Sequence, residues 1–390
     1  MASYSWPLQK NSIGLQEKLA LTKFLWTSDR FTNGPEVKKF EEAWSKWQGK
    51  KYSLYVSNGS CANFLLLDAV KELYFPNRRS LKIFAPAINW STNLATFIQQ
   101  KHDIYLYDID RKTYSPTWDS VSQLSKVQPD IVYLTHVLGI SNDMEKVKEM
   151  WPNAMILEDC CESHGAKDFK TGKKVGTTGE GATFSFYFGH HMTTIEGGMI
   201  CTDNENLYNL LKAKRSHGLS REMLPIPKQK VELQNLNIDP SFLFPTAGYN
   251  FRNIEFGAVL GQVQLKKLDH WNEIRNKNYQ EFYSCIKEIP EYFYRPATPE
   301  GNSAMVLPFH CKDEVLALDL KRFLNQIGVE TRPFLVGNVT NQPFMKRENW
   351  VASTLPNASQ MDSCSFYIGN NQFVNPAKIQ ELIWQILCEF

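Results

Sequence analysis

From Lys51 to Asp159 the chain alternates short apolar runs with longer stretches of helical spacing. KYSLYV leads through a glycine-containing turn into SCANFLLLDAVKEL, and KIFAP followed by INWSTNLATFIQQ repeats the order. DIYLYDID, PDIVYLT and AMILED are three further apolar runs, separated by the helical-looking WDSVSQLSKV and DMEKVKEMW. Strands alternating with helices predict a mainly parallel sheet covered on both faces. In such sheets ligands gather at the carboxyl ends of the strands, where Ser57–Ser60, Trp90 and Asp159 fall. Ahead of this block, residues 12–30 read as a helix with mixed faces. GPEVKKFEEAWSKWQGK reads as a second, with Pro35 in its first turn and Gly49 as its stop. Thr183 to Thr202 reads as strand, tight crossing, strand: ATFSFYF alternates, HHMTTIEGG turns and MICT runs on apolar.

After Asn250, the segment NFRNIEFGAVLGQVQLKKLDHWNEIRNKNYQEFYSCIKEI keeps helical spacing throughout, long enough to join two domains. Beyond it the segments shorten: a strand at SAMVLPFHC, a helix at LALDLKRFLNQIG, a strand at VETRPF and a closing helix at NPAKIQELIWQILCEF. The pattern predicts a large domain with an N-terminal arm over residues 1–265, then the long connecting helix and a smaller α/β domain over residues 266–390.

Composition narrows the function classes. The 390 residues are 43% hydrophobic and 22% charged, which suits an ordinary globular chain with a large core. A net charge of +2 without a long basic run points away from nucleic acid and from a membrane surface. No basic-then-apolar leader opens the chain, and no run of about 18 uncharged apolar residues occurs. The eight cysteines lack C-x-x-C spacing, which fits reduced thiols in a cytoplasm. The adjacent Cys160 and Cys161 read either as a redox pair or as two small side chains at a strand end.

Candidate chemistry concentrates in the Thr183–Thr202 crossing. Ser185, His190, His191, two threonines and a Gly-Gly pair lie between two apolar strands. Read alone, this is equally a hairpin whose turn contains histidine. The stretch resembles the cofactor segment of the DegT/DnrJ/EryC1/StrS sugar aminotransferases, F-S-F-x-x-x-K-x-x-T-x-G-E-G-G. There the serine holds the phosphate of pyridoxal phosphate (PLP), and the lysine five residues on forms a Schiff base with it. Ser185 matches the serine. His190 stands in the lysine's place, and no lysine lies between Lys174 and Lys212. Imidazole cannot take over the Schiff-base role, but it can move a proton. SFYxxHHxxTxEGG is similar to the branch of the family that makes this swap, the PLP/PMP-dependent sugar 3-dehydratases, PMP being pyridoxamine phosphate.

Other motifs follow the same resemblance in order along the chain. VSNGSCAN places Gly59 and Ser60 at a helix start, where backbone N–H groups and the helix dipole can cradle a phosphate. Trp90 in APAINWST matches the aromatic of P-A-x-x-W-x-x-T that stacks on the cofactor ring. Asp159 in EDCCESHGA matches the aspartate of E-D-x-x-Q-x-x-G-A that faces the pyridine nitrogen. Glu162 replaces the glutamine there, a second departure shared with the dehydratase branch. RSHGLSR carries His217 and Arg221, and GYNFRNIE carries Asn250, whose family counterpart reaches the phosphate in the neighbouring subunit of a homodimer. His217 and Phe242 match substrate-site residues of the dehydratases. Arg332 in TRPFLVGN suits a carboxylate or phosphate.

The resemblance implies fold type I of the PLP-dependent transferases, aspartate aminotransferase-like. It also implies PLP/PMP-dependent removal of the C3 hydroxyl from a nucleotide-linked 4-keto-6-deoxyhexose. GDP-4-keto-6-deoxy-D-mannose is the substrate it favours over CDP- or dTDP-sugars, and L-glutamate regenerates PMP. His190 is the implied base at the cofactor's C4′ carbon. Three rival readings stand beside this one. An aminotransferase would need the missing lysine. A reductive iron–sulfur dehydrase would need clustered cysteines, whereas Cys285, Cys311, Cys364 and Cys388 are far apart. A catalytically inactive scaffold would need no electron sink, yet Ser185, Asp159 and Trp90 are all present.

Overall fold

The computed structural model describes residues 5–223 and 238–390; the first four residues of the N-terminal stretch read above lie outside it. Helix α1 spans Leu15–Thr27 and α2 Pro35–Gln48, which stops at Gly49, in the left-handed conformation at φ 86°. Strand β1 (Tyr52–Val56) leads into α3 (Gly59–Tyr74), capped by the Asn58 side chain accepting from the Cys61 N–H at 2.8 Å. There follow β2 (Lys82–Pro86), α4 (Ser91–Gln99), β3 (Asp103–Tyr107), α5 (Trp118–Gln123), β4 (Ile131–Thr135), α6 (Met144–Met150) and β5 (Met155–Asp159). Strands β6 (Gly181–Ser185) and β7 (Gly198–Thr202) enclose the crossing, and α7 (Glu205–Arg215) follows. The long helix α8 (Glu255–Ile286) has 32 residues, about 48 Å at 1.5 Å per residue. After it come β8 (Val306–His310), α9 (Glu314–Gln326), β9 (Thr331–Pro333), β10 (Trp350–Ala352), α10 (Pro356–Cys364), β11 (Ser365–Gly369) and α11 (Pro376–Glu389).

Among the described residues eight strands form one sheet in the order β1-β7-β6-β5-β4-β2-β3-β10, in which β7 runs against its neighbours. The fold is therefore α/β with a mainly parallel sheet, as the alternation predicts. The expected in–out alternation of ATFSFYF is absent: all five residues of β6 are buried. Both faces of the strand are covered. Leu66 of α3 is so close to Gly181 that a Cβ there would lie 2.6 Å from its Cδ1. On the other side Phe184 and Phe186 pack with Phe40, Trp44 and Tyr55.

A second, antiparallel sheet is ordered β8-β11-β9. Two connections between distant parts of the chain were not expected. Strand β10 leaves the C-terminal region to pair in parallel with β3 on the edge of the large sheet. The N-terminal arm reaches the small sheet, where Trp6 is buried and its indole N–H donates to the Gly369 carbonyl at 2.8 Å. Among the described residues no helix is long and apolar enough to cross a membrane.

Candidate active site

The turns that leave β1, β2, β5 and β6 converge. Gly59 opens α3 directly against Ser185 at the end of β6; a Cβ on Gly59 would lie 2.6 Å from the Ser185 Cβ and 3.0 Å from Cys161 Sγ. Gly198 of β7 passes beneath the same turn, where a Cβ would lie 2.3 Å from the Asn58 carbonyl oxygen. Glycine at both places leaves a small cradle at a helix N-terminus beside a hydroxyl, which fits a phosphate. Ser60 Oγ lies 2.9 Å from Thr92 Oγ1, so the starts of α3 and α4 meet at this cradle. Trp90 forms the N-cap of α4 and is 46% exposed, which leaves ring surface for a planar group to lie against.

Asp159 ends β5 and is buried. One oxygen accepts from Asn93 Nδ2 at 2.6 Å and the other from the Cys161 N–H at 3.0 Å. Glu162 follows in the next turn and accepts from the Leu138 N–H at 3.0 Å. Burial, with Asp159 adding to it, pushes the Glu162 carboxyl up to about 8, so it carries its proton at neutrality.

The two adjacent histidines have different surroundings. Half-buried His190 has Nδ1 3.0 Å from the Ser185 carbonyl oxygen. A carbonyl can only accept, so Nδ1 holds the hydrogen and Nε2 carries the lone pair. Burial holds the His190 pKa below its usual value, with Asp159 opposing and Arg275 assisting. His191 is fully buried, and its Nε2 donates to the Ser303 carbonyl at 2.7 Å. The Gln9 amide donates to the His190 carbonyl at 3.2 Å, so the N-terminal arm braces this loop.

Not every expected residue joins this cluster. His217, Arg221, Phe242 and Asn250 are exposed, and among the described residues no hydrogen bond joins any of them to His190, Ser185 or Asp159. Arg252 instead links two of them, its Nε donating to Asn250 Oδ1 and its Nη2 lying 3.0 Å from His217 Nε2. This group borders the cradle, because Arg252 bridges Val56 and the Phe251 carbonyl accepts from the Ser57 N–H. Arg332 is exposed on β9 opposite Tyr367 of β11. Burial pushes the Tyr367 hydroxyl up to about 12; Glu162 adds to this and Arg332 opposes it.

Sequence reasoning missed Tyr367, which lies in β11 within the run FYIGNNQF. It also missed His164, whose ring is 6.2 Å from that of His190, and the asparagines 63, 89 and 93. One signal was present for Asn93: it occupies the place that P-A-x-x-W-x-x-T gives to threonine.

The chain belongs to the DegT/DnrJ/EryC1/StrS aminotransferase family, whose model matches residues 12–386. It is 31% identical over 387 residues to the GDP-4-keto-6-deoxy-D-mannose 3-dehydratase of Yersinia pseudotuberculosis, covering 97% of each chain. A crystal structure of GDP-4-keto-6-deoxymannose-3-dehydratase with a trapped PLP-glutamate geminal diamine superposes with a TM-score of 0.87 at 30% identity, covering 97% of this chain and 99% of that one. A histidine-to-asparagine variant of that enzyme with bound GDP-perosamine gives a TM-score of 0.86 at 30% identity and the same coverage.

Proposed function

We propose that this protein is a PLP/PMP-dependent lyase that removes the C3 hydroxyl from GDP-4-keto-6-deoxy-D-mannose. L-Glutamate supplies the amino group that regenerates PMP, and the product is a 3,6-dideoxy-4-ketosugar. The observation that carries this reading is His190: it stands where the family has its lysine, with Nδ1–H held by the Ser185 carbonyl and, among the described residues, no hydrogen bond on Nε2, which leaves its lone pair to accept a proton.

When bound, the cofactor supplies an amino group for the sugar ketone and a ring that withdraws electrons. The protein does the rest. Backbone N–H groups of Gly59 and Ser60, the α3 dipole and the Ser185 hydroxyl hold the phosphate. Trp90 covers one face of the ring. Asp159 faces the ring nitrogen and keeps it protonated. Glu162, which keeps its proton at neutrality, would offer the bound cofactor a hydrogen-bond donor beside Asp159. His190 takes a proton at Nε2 from the C4′ carbon. With no lysine between Lys174 and Lys212, no side-chain amine of this loop competes for that carbon.

His217, Arg221, Phe242 and Arg332 contact the substrate in this reading, Arg332 through an oxyanion. Asn250 serves the cofactor of a second copy, which makes the working unit a homodimer. Residues 1–265 and 266–390 form two units, β10 being lent by the second to the sheet of the first. We place the protein in the cytoplasm, where a reducing medium suits its eight free thiols.

The test is incubation with PLP, glutamate and a panel of GDP-, CDP- and dTDP-linked 4-keto-6-deoxysugars, followed by mass spectrometry of the products. Loss of the C3 oxygen with release of ammonia, greatest for the GDP-sugar, is the expected result. An amine gained on the sugar would make the protein an aminotransferase instead.

A further inference from the structure

The floor beneath Asp159 is built of primary amides. Asn63 of α3, Asn89 in the turn after β2 and Asn93 of α4 are all buried. Asn93 Nδ2 donates to Asp159 Oδ2 at 2.6 Å and to Asn89 Oδ1 at 2.8 Å, which occupies both of its hydrogens. Its own Oδ1 accepts from Asn63 Nδ2 at 2.6 Å. Further out, Asn63 Oδ1 accepts from the Thr183 hydroxyl on β6. Asn89 Oδ1 accepts from the Thr135 hydroxyl on β4 at 3.0 Å and from the Trp90 backbone N–H at 2.8 Å.

The bonds fix which way each amide faces. Turning Asn93 over would set its oxygen against the Asp159 carboxylate and against Asn89 Oδ1, and its NH₂ against the NH₂ of Asn63. Neighbouring elements could be held together here by apolar side chains, without the desolvation of three amides. What apolar side chains could not supply is a donor aimed at one carboxylate oxygen.

We infer that Asn93, held by Asn63 and Asn89, is a positioning residue. It sets the angle of the Asp159 carboxylate toward the cofactor's ring nitrogen. Through Asn89 it ties that carboxylate to the backbone of Trp90, so one network registers both the nitrogen and the face of the ring. The inference rests on the cofactor reading above.

The test uses PLP labelled with ¹⁵N in the ring, bound to the wild type, Asn93→Ala, Asp159→Asn and the double variant. The ¹⁵N chemical shift, the PLP dissociation constant and the thermal midpoint are measured for each. In Asn93→Ala the shift moves toward that of an unprotonated ring, and PLP binds about 10- to 100-fold more weakly, the scale of one hydrogen bond to a charged group. On the Asp159→Asn background, Asn93→Ala adds about twofold or less, because the two residues act as one unit. An unmoved shift in Asn93→Ala while Asp159→Asn moves it, or losses that simply multiply in the double variant, overturns the positioning role. An unmoved shift in Asp159→Asn overturns the cofactor reading and the role together. If Asn93→Ala does not fold, Asn63→Ala takes its place; it leaves the donor present but unlocked and moves the shift the same way by less, and no movement overturns the role.

Discussion

His190 and His191 share a backbone segment but differ in what each can do. Among the described residues no hydrogen bond engages His190 Nε2, whereas His191 is buried with Nε2 committed to Ser303. His190→Asn should therefore lower turnover by about 10²–10⁴-fold, the usual scale for a lost general base, while still binding PMP. His191→Asn should lower the thermal midpoint and leave turnover within about tenfold of wild type; a reversal of the two outcomes in steady-state assays would assign the base to the wrong ring. The pH profile follows from two partly buried groups. His190, held by burial below the ordinary 6.5, is already neutral at pH 7, so the acid limb of the rate lies below neutrality. Glu162 loses its proton near pH 8, which puts a second negative charge beside Asp159, so the rate should fall above that pH. Glu162→Gln should remove this alkaline limb. Stability carries the same sign: between about 4.5 and about 8 the unfolded chain releases this proton while the folded chain keeps it, so Glu162 erodes stability across that window. Ser185, His190, Asp159 and Gly59 stand out by their spacing, and the structure brings them to neighbouring turns. The three asparagines do not stand out, because an amide on a helix or in a turn reads as surface until its partners from other elements are known.

At the scale of elements, the parallel order of β2 to β6 and the length of α8 followed from periodicity. What escaped were short pieces whose partners lie far along the chain. Strand β10 has three residues and pairs with β3, and the arm at Trp6 bonds to Gly369; neither carries a periodic signal of its own. The double burial of β6 was hidden for a related reason, since its second cover comes from α2 rather than from a neighbour in sequence. The β7 crossing makes a sharper demand. Its Gly198 leaves no room for a Cβ against the Asn58 carbonyl oxygen, a rigid backbone atom. Gly198→Ala should cost about 1–3 kcal/mol of stability, the range for overpacking, and should weaken PLP binding by displacing the Gly59 turn. Denaturant melts and PLP titration measure both effects; an alanine variant with wild-type affinity would mean that the cradle does not depend on this close approach.

At the scale of the whole molecule, an apolar stripe on α1 is left uncovered among the described residues. Leu15, Leu19 and Trp26, spaced along one face of α1, are 72%, 59% and 85% exposed, and the His217–Arg252–Asn250 group is open as well. A second copy would cover such a stripe and receive Asn250, so light scattering should report a dimer. Mixing inactive Asn250→Ala with inactive His190→Asn should restore part of the activity through hybrid sites; a fully active monomer would remove the shared-site reading. The central claim, that a proton-moving histidine replaces the Schiff-base lysine, is tested most directly on the intact chain. The PLP-loaded protein is treated with borohydride, and its whole mass is measured after denaturation. The expected result is the unmodified mass, with the His190→Lys variant gaining one pyridoxyl group under the same treatment. A pyridoxyl adduct on the wild-type chain would contradict it.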